Sequence, residues 1–232
     1  MKNSKDFSIV FPIMNQEDHI ESVIRSYHRE LTRQNFSFEL IAVVNCTKDN
    51  SFEICKKVAK EFPNVSAYEL KGCGFGLGIL QGLKKAKGKY LCWASSARTH
   101  ADELAKCLKQ FLADTNVIIH GVRKKRDIFL RRLGAIIYDT ACNFVFCLTS
   151  SDINGIPKVF SRETYNKLDL RFTDSMIDLE LLEKAKRLKI PVVEIPIYKS
   201  IRHGGRSTSN FKTIFRLMKE VLRYWLKTRL FR

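Results

Sequence analysis

Along the chain, short unbroken apolar runs alternate with stretches whose apolar positions recur every three or four residues. Phe7–Ile13 (FSIVFPI) and Phe38–Val44 (FELIAVV) are runs of strand length, apolar on both faces. Between them Ile20, Val23, Ile24, Tyr27 and Leu31 keep helical spacing. Asn15 is a candidate helix cap, with Glu17 and Asp18 in the first turn where the dipole favours acids. The pattern repeats: a helix with Phe52, Cys55, Val58, Ala59 and Phe62 on one side, a strand at Val65–Leu70, and a glycine-rich stretch. Tyr90–Ala94 is a fourth strand, and Thr99 then reads as the cap of a helix through Asp102–Leu112. Asn116–Val122 is a fifth strand and Phe129–Cys147 a helix. Further strands are predicted at Lys158–Phe160 and Val192–Tyr198 around a helix at Asp178–Lys189, and a long helix begins near Asn210. Strands alternating with helices predict an α/β fold with a mostly parallel sheet covered on both faces. In such a sheet ligands bind beyond the carboxyl ends of the strands, which points to the loops starting at Pro12, Asn45, Gly72 and Ala94.

Charge sharpens this picture. Lys and Arg number 41 against 24 Asp and Glu, a formal net charge of +17, concentrated in residues 121–135, 199–206 and 210–232. Such a surplus calls for anionic partners: nucleic acid, phosphorylated ligands or an acidic membrane surface. No nucleic-acid recognition motif accompanies it, so no nucleic-acid partner is predicted. The seven cysteines are odd in number, lack CxxC spacing and lie largely in apolar runs, which predicts buried free thiols in a reducing cytoplasm. The N-terminus shows no signal peptide and no run reaches the length of a membrane span, so a cytoplasmic protein, peripheral on the inner face of the membrane, is expected.

Gly72, Gly74, Gly76, Gly78 and Gly82 follow the third strand. They allow backbone to approach a phosphate closely, or a turn to pack tightly on the sheet. Taken in order, residues 8–24 (SIVFPIMNQEDHIESVI), 39–54, 72–88 (GCGFGLGILQGLKKAKG) and 89–94 resemble family-2 glycosyltransferases, nearest to the dolichyl- and polyprenyl-phosphate sugar synthases. The resemblance continues through Asp152–Phe160 (DINGIPKVF), Asp178-Leu-Glu180, Val193-Glu-Ile-Pro196 and Arg202-His-Gly-Gly-Arg-Ser207. It implies a GT-A fold over residues 1–209, followed by a basic amphipathic helix at 210–232.

The resemblance also implies roles. Pro12, Asn15 and Glu17 would line the nucleotide pocket, and Asn45 would contact the base where the family usually has an acid. Gly74 and Gly76 fall on the family's glycine-lysine-glycine stretch, with Phe75 in the lysine's place. The family's metal-holding Asp-x-Asp is missing: residues 93–98 read Trp-Ala-Ser-Ser-Ala-Arg. Ser95 and Ser96 are poor ligands for Mg2+ or Mn2+ by themselves, so no tightly bound metal is expected and at most weak binding. His100 and Asp102 could supply ligands, or Thr99 and Asp102 could form a capping box. Arg98 could carry the charge that a metal would have given to the donor diphosphate; alternatively the donor site binds without turnover.

Arg123-Lys-Lys-Arg126 with Arg131 and Arg132 is either a solvated face or a cradle for an acceptor phosphate, joined by Arg202 and Ser207. A phosphate acceptor is already anionic and needs no strong general base; Asp152 and Glu180 are candidates for ordering this region. On the last helix Phe211, Ile214, Phe215, Met218, Val221, Leu222, Trp225 and Leu226 share one side, with Lys212, Arg216, Lys219, Arg223 and Lys227 between them. Such a helix suits an anionic membrane surface, or it docks on the domain itself or on a partner subunit. The function predicted is sugar transfer from a UDP- or GDP-type donor to a polyprenyl phosphate, with transfer to a soluble acceptor, or inactive binding, as alternatives.

Overall fold

The structure, a computed structural model, describes residues 6–124, 129–199, 202–204 and 211–230. Ser207, Arg126 and Arg206 lie outside the described residues, as do the side chains of Arg131 and Arg132. Seven strands form one sheet in the order β3-β2-β1-β4-β6-β5-β7. They are β1 (Phe7–Ile13), β2 (Phe38–Asn45), β3 (Val65–Leu70), β4 (Tyr90–Trp93), β5 (Ile118–Arg123), β6 (Lys158–Ser161) and β7 (Val192–Ile197). The helices are α1 (Ile20–Arg33), α2 (Ser51–Glu61), α3 (Phe75–Lys85), α4 (Ala101–Ala113), α5 (Phe129–Phe146), α6 (Arg162–Leu168), α7 (Ile177–Arg187) and α8 (Phe211–Leu230).

The sheet is covered on both faces, and strand alternation shows how. Phe7, Ile9, Phe11 and Ile13 of β1 join one core with α1, α2 and α4, whereas Val10 enters the opposite core with α3, α5 and α7. The α1 residues Ile20, Val23, Ile24, Tyr27 and Leu31 are all buried, as their spacing predicts. On the other face Gly82 lets α3 sit against the sheet, since a Cβ there would lie 2.3 Å from Val10 Cγ1.

β6 runs antiparallel to both β4 and β5. Two reversals restore direction, so β5 points the same way as β1 and β4. The carboxyl ends of β1 to β5 therefore share one edge, and the 150–157 loop that enters β6 meets them there. The order reverses between β1 and β4, the switch point where an open α/β sheet leaves its crevice.

Several local expectations are corrected. Asn15 does not cap α1: it has φ 51°, and α1 begins at Ile20. Thr99 does not cap α4 either; its hydroxyl accepts from Ser95 N at 3.0 Å, and Asp102 pairs with Lys199. α6 was not foreseen. The reading of the cysteines as buried free thiols fails at three of them: Cys147 is exposed, and Cys46 and Cys73 are joined. Their proximity depends on β2 and β3 lying side by side, which no local spacing reveals.

Candidate functional site

Three loops at the carboxyl edge are tied into one wall. Asn15 N donates to Thr47 Oγ1 at 2.9 Å, and Lys48 N donates back to Asn15 Oδ1 at 2.8 Å. Glu17 N donates to Asp49 Oδ2 at 3.0 Å, while Asn50 N donates to Glu17 Oε2 at 2.9 Å. The β1 loop is thus held reciprocally to the β2 loop. Asn45, which is buried, reaches the third loop: its Nδ2 donates to Gly74 O at 2.6 Å.

The glycines serve packing at this wall. Gly74 has φ +150°, and a Cβ on it would lie 2.2 Å from Thr173 O. A Cβ on Gly76 would lie 2.4 Å from Phe172 O. Of the two uses open to the glycine cluster, close packing is the one these two positions display. The 172–174 segment they rest on is fixed by Glu180, whose carboxylate accepts from Arg171 N and Phe172 N, both at 2.9 Å.

The β4–α4 turn closes the same edge. Ser96 is buried and donates to Pro12 O at 3.0 Å. Ser95 O accepts from Arg98 N at 3.1 Å and Thr99 N at 2.9 Å, which places Arg98 on this turn, half-buried. Residues 202–204 return across it: His203 N donates to Ala97 O at 2.9 Å, and His203 Nε2 donates to Thr99 O at 3.1 Å. Arg202, expected with the acceptor-phosphate residues, lies instead on this returning segment beside the β4–α4 turn, its Nε donating to Gly204 O at 3.0 Å. His203 was not singled out from the sequence; its place beside Arg202 in the quoted motif was the available signal.

A metal fits this turn poorly. Residues 94–97 carry no carboxylate, Asp102 is engaged by Lys199, and Asp18 Oδ1 lies 2.5 Å from His19 Nδ1. Among the described residues no three His, Cys, Asp or Glu side chains converge as a metal set.

Arg123 ends β5, two strands from β4 across β6, which corresponds to about 10 Å at ordinary strand spacing. Its Nε and Nη2 donate to the Asp152 carboxylate, each at 2.7 Å, and its backbone N adds a bond at 3.2 Å. Asp152 is 1% exposed at its side chain and Arg123 is 24% exposed. Burial alone would lower the Arg123 pKa, but the carboxylate outweighs it and raises it, so the guanidinium stays charged. No described residue takes the two Nη1 hydrogens, which leaves a fixed, bidentate-held cation with donors to spare.

Behind this pair lies a buried polar layer that the sequence did not announce. Lys158 is fully buried; its Nζ donates to Asp178 Oδ1 at 2.6 Å, Gly155 O at 2.7 Å and Ile153 O at 3.3 Å. It thereby pins both ends of the loop that carries Asn154. His120 Nε2 donates to Asp152 O at 2.7 Å, and its Nδ1 has no hydrogen-bond partner among the described residues. Burial, helped by the Lys158 charge, pushes His120 down to about 3.

This carries a pH prediction. A histidine at about 3 in the fold and near 6.5 when unfolded binds its proton more tightly in the unfolded chain. Its stabilising effect is full above pH 6.5 and is lost as pH falls toward 3. Unfolding by denaturant is expected to lose roughly 2 kcal/mol between pH 7 and pH 5 from this group. His120→Asn should flatten that slope; an unchanged slope would refute the assignment to His120.

The family model described as "Glycosyl transferase family 2" matches residues 8–169. A dolichol-phosphate mannosyltransferase of Pyrococcus furiosus is 23% identical over 225 residues, covering 93% of this chain and 62% of the relative. A dolichyl-phosphate beta-glucosyltransferase of Trichomonas vaginalis is 26% identical over 216 residues, covering 82% of this chain and 64% of the relative. The chain thus spans less than two thirds of the length of either. Among solved structures, glucosyl-3-phosphoglycerate synthase from Mycobacterium tuberculosis, in complex with Mn2+, UDP-glucose and phosphoglyceric acid, superimposes with a TM-score of 0.73. Identity is 16%, and 97% of this chain and 80% of that one are covered, a likeness that shows a shared GT-A fold.

Proposed function

The chain belongs to glycosyl transferase family 2, and on that premise we propose that it transfers a sugar from a nucleoside-diphosphate donor of UDP or GDP type to a polyprenyl phosphate. The observation that carries this reading is the pairing of two basic stations on one sheet edge. Arg98 stands on the β4–α4 turn and Arg202 on the 202–204 segment that crosses it, beside the wall of Asn15, Glu17 and Asn45. Arg123 stands two strands away, fixed by Asp152. A diphosphate at the first and a phosphate at the second would meet at the sugar's anomeric carbon.

In the proposed step an acceptor phosphate oxygen forms the new bond to that carbon with inversion. The bond to the donor's diphosphate breaks, and its electron pair leaves on the diphosphate oxygen. Arg98 and Arg202 offset the developing charge without a tightly bound metal. Arg123 holds the acceptor, and no proton need be removed from an acceptor already ionised. Arg131 and Ser207 are proposed to complete the acceptor side.

A place on an anionic membrane, peripheral on its cytoplasmic face, follows from the same reading. Among the described residues no helix is long and apolar enough to cross a bilayer. α5 nevertheless exposes Leu133, Ile136, Ile137 and Phe144 on one face, Phe144 at 85%. α8 packs on this helix through a face that includes buried Val221 and Tyr224, and leaves Leu222, Leu226 and the basic Arg216, Lys219, Arg223 and Lys227 exposed. Exposed apolar and cationic groups on packed helices suit a headgroup layer.

The solved neighbour's complex with phosphoglyceric acid favours a second reading, in which the acceptor is a small soluble phosphate. Radiolabelled UDP- and GDP-sugars offered to a short polyprenyl phosphate on vesicles and to phosphoglycerate in solution decide between them. Label is expected in the lipid fraction. Label in phosphoglycerate alone would replace the lipid reading, and donor binding without product would make the chain an inactive binder.

A further inference from the structure

We propose that Cys46 and Cys73 form a reversible thiol–disulfide site that sets the affinity of the donor pocket; this rests on the donor reading above. Cys46 directly follows Asn45 at the end of β2, and Cys73 directly precedes Gly74 in the turn after β3. The bridge therefore runs beside the Asn45 Nδ2 to Gly74 O hydrogen bond, and the two links together clamp the β2 and β3 loops. The clamped backbone is unusual on both sides: Cys46 has φ 56° and Gly74 has φ 150°. Such conformations persist where the surroundings hold them.

The bridge is placed for exchange. Cys73 is exposed while Cys46 is half-buried, so an external thiolate reaches the Cys73 sulfur. Four other cysteines do not compete: Cys55, Cys92, Cys107 and Cys142 are buried, and burial pushes Cys55, Cys107 and Cys142 up to about 12; Cys147, after α5, is exposed and free. With a dithiol reductant, one sulfur attacks Cys73 Sγ and the S–S bond breaks, its electron pair leaving on Cys46 Sγ, which takes a proton. The reductant's second sulfur then attacks the mixed disulfide and releases the Cys73 thiol. The reductant ends as a disulfide, and two electrons and two protons have passed to the protein.

After reduction the two loops keep the Asn45–Gly74 hydrogen bond but lose the covalent tie. Nucleotide binding must then order the glycine-containing loop, which weakens it. A preformed clamp spares that cost.

The test is titration calorimetry of the whole chain with UDP and with GDP, before and after dithiothreitol, beside a Cys46→Ser/Cys73→Ser variant. Under denaturant, five of the seven cysteines should react with a thiol reagent before reduction and all seven after. The nucleotide Kd is expected to rise about 5–10-fold on reduction, as the loss of preorganisation implies. The double variant should show the weaker value in both conditions. Seven reactive thiols in protein oxidised in air, an unchanged Kd, or a dithiothreitol response that persists in the double variant would each overturn the proposal. Absence of nucleotide binding in both redox states would instead remove the donor reading on which it rests.

Discussion

Arg123→Ala is expected to lower kcat/KM for sugar transfer by about 100- to 1,000-fold, the usual effect of removing one positioned donor from developing or bound anionic charge. The reason lies in how Arg123 is held. Two of its nitrogens are fixed on Asp152 at 2.7 Å, so the remaining donors point from a side chain that spends little further entropy on binding. Truncation removes the cation and also leaves a carboxylate buried at 1% exposure with its main partner gone. Arg123→Lys separates these effects. It keeps a charge but loses the bidentate fork, so the carboxylate stays partly paired while acceptor binding falls. Nucleotide affinity should stay within about 3-fold in both variants if Arg123 serves the acceptor and not the donor. Folded Arg123→Ala protein with unaltered kcat/KM would remove Arg123 from the site.

The second large effect concerns stability. Lys158→Met is expected to destabilise the fold by about 3–5 kcal/mol in denaturant unfolding, the range for breaking a buried ion pair by removing one partner. Lys158 Nζ satisfies the Asp178 carboxylate and two carbonyls of the 153–155 segment, all away from water. Methionine fills the volume but leaves Asp178 with Trp93 Nε1 at 3.3 Å as a remaining donor. Burial already raises the Asp178 pKa and lowers that of Lys158, so each charge is held only because the other is present. Changing both, Lys158→Met with Asp178→Leu, should recover much of the loss. A single-variant cost under about 1 kcal/mol would show that the pair is not buried as described.

Much of this architecture is legible in the apolar pattern. FSIVFPI and FELIAVV became β1 and β2 because a central strand is apolar on both faces, and the α1 spacing gave a helix because one face is core. The carboxyl-edge loops followed from the α/β pattern alone. What failed were residues whose local chemistry suits two uses. Asn15 and Thr99 carry cap chemistry, yet their side chains join loops distant in sequence or close their own turn. Lys158 reads from the sequence only as a strand start; its buried partner Asp178 lies twenty residues later. Cys46 and Cys73 are 27 residues apart, and the parallel pairing of β2 with β3 brings them together. Apart from the Thr99 turn, these depend on tertiary neighbours that a window of local sequence does not contain.

The glycines mark the same limit. Gly74, Gly76 and Gly82 were open to a phosphate role or a packing role, and their would-be Cβ positions lie against Thr173, Phe172 and Val10. In the proposed reading the donor's charge is met by the side chains of Arg98 and Arg202, where the Asp-x-Asp is absent.

The most direct test is the initial rate of sugar transfer from a UDP- or GDP-sugar to a short polyprenyl phosphate, measured with and without excess EDTA. The account predicts the same rate within about 2-fold, since the described residues hold no convergent metal set. A rate abolished by EDTA and restored by Mn2+ or Mg2+ would contradict it.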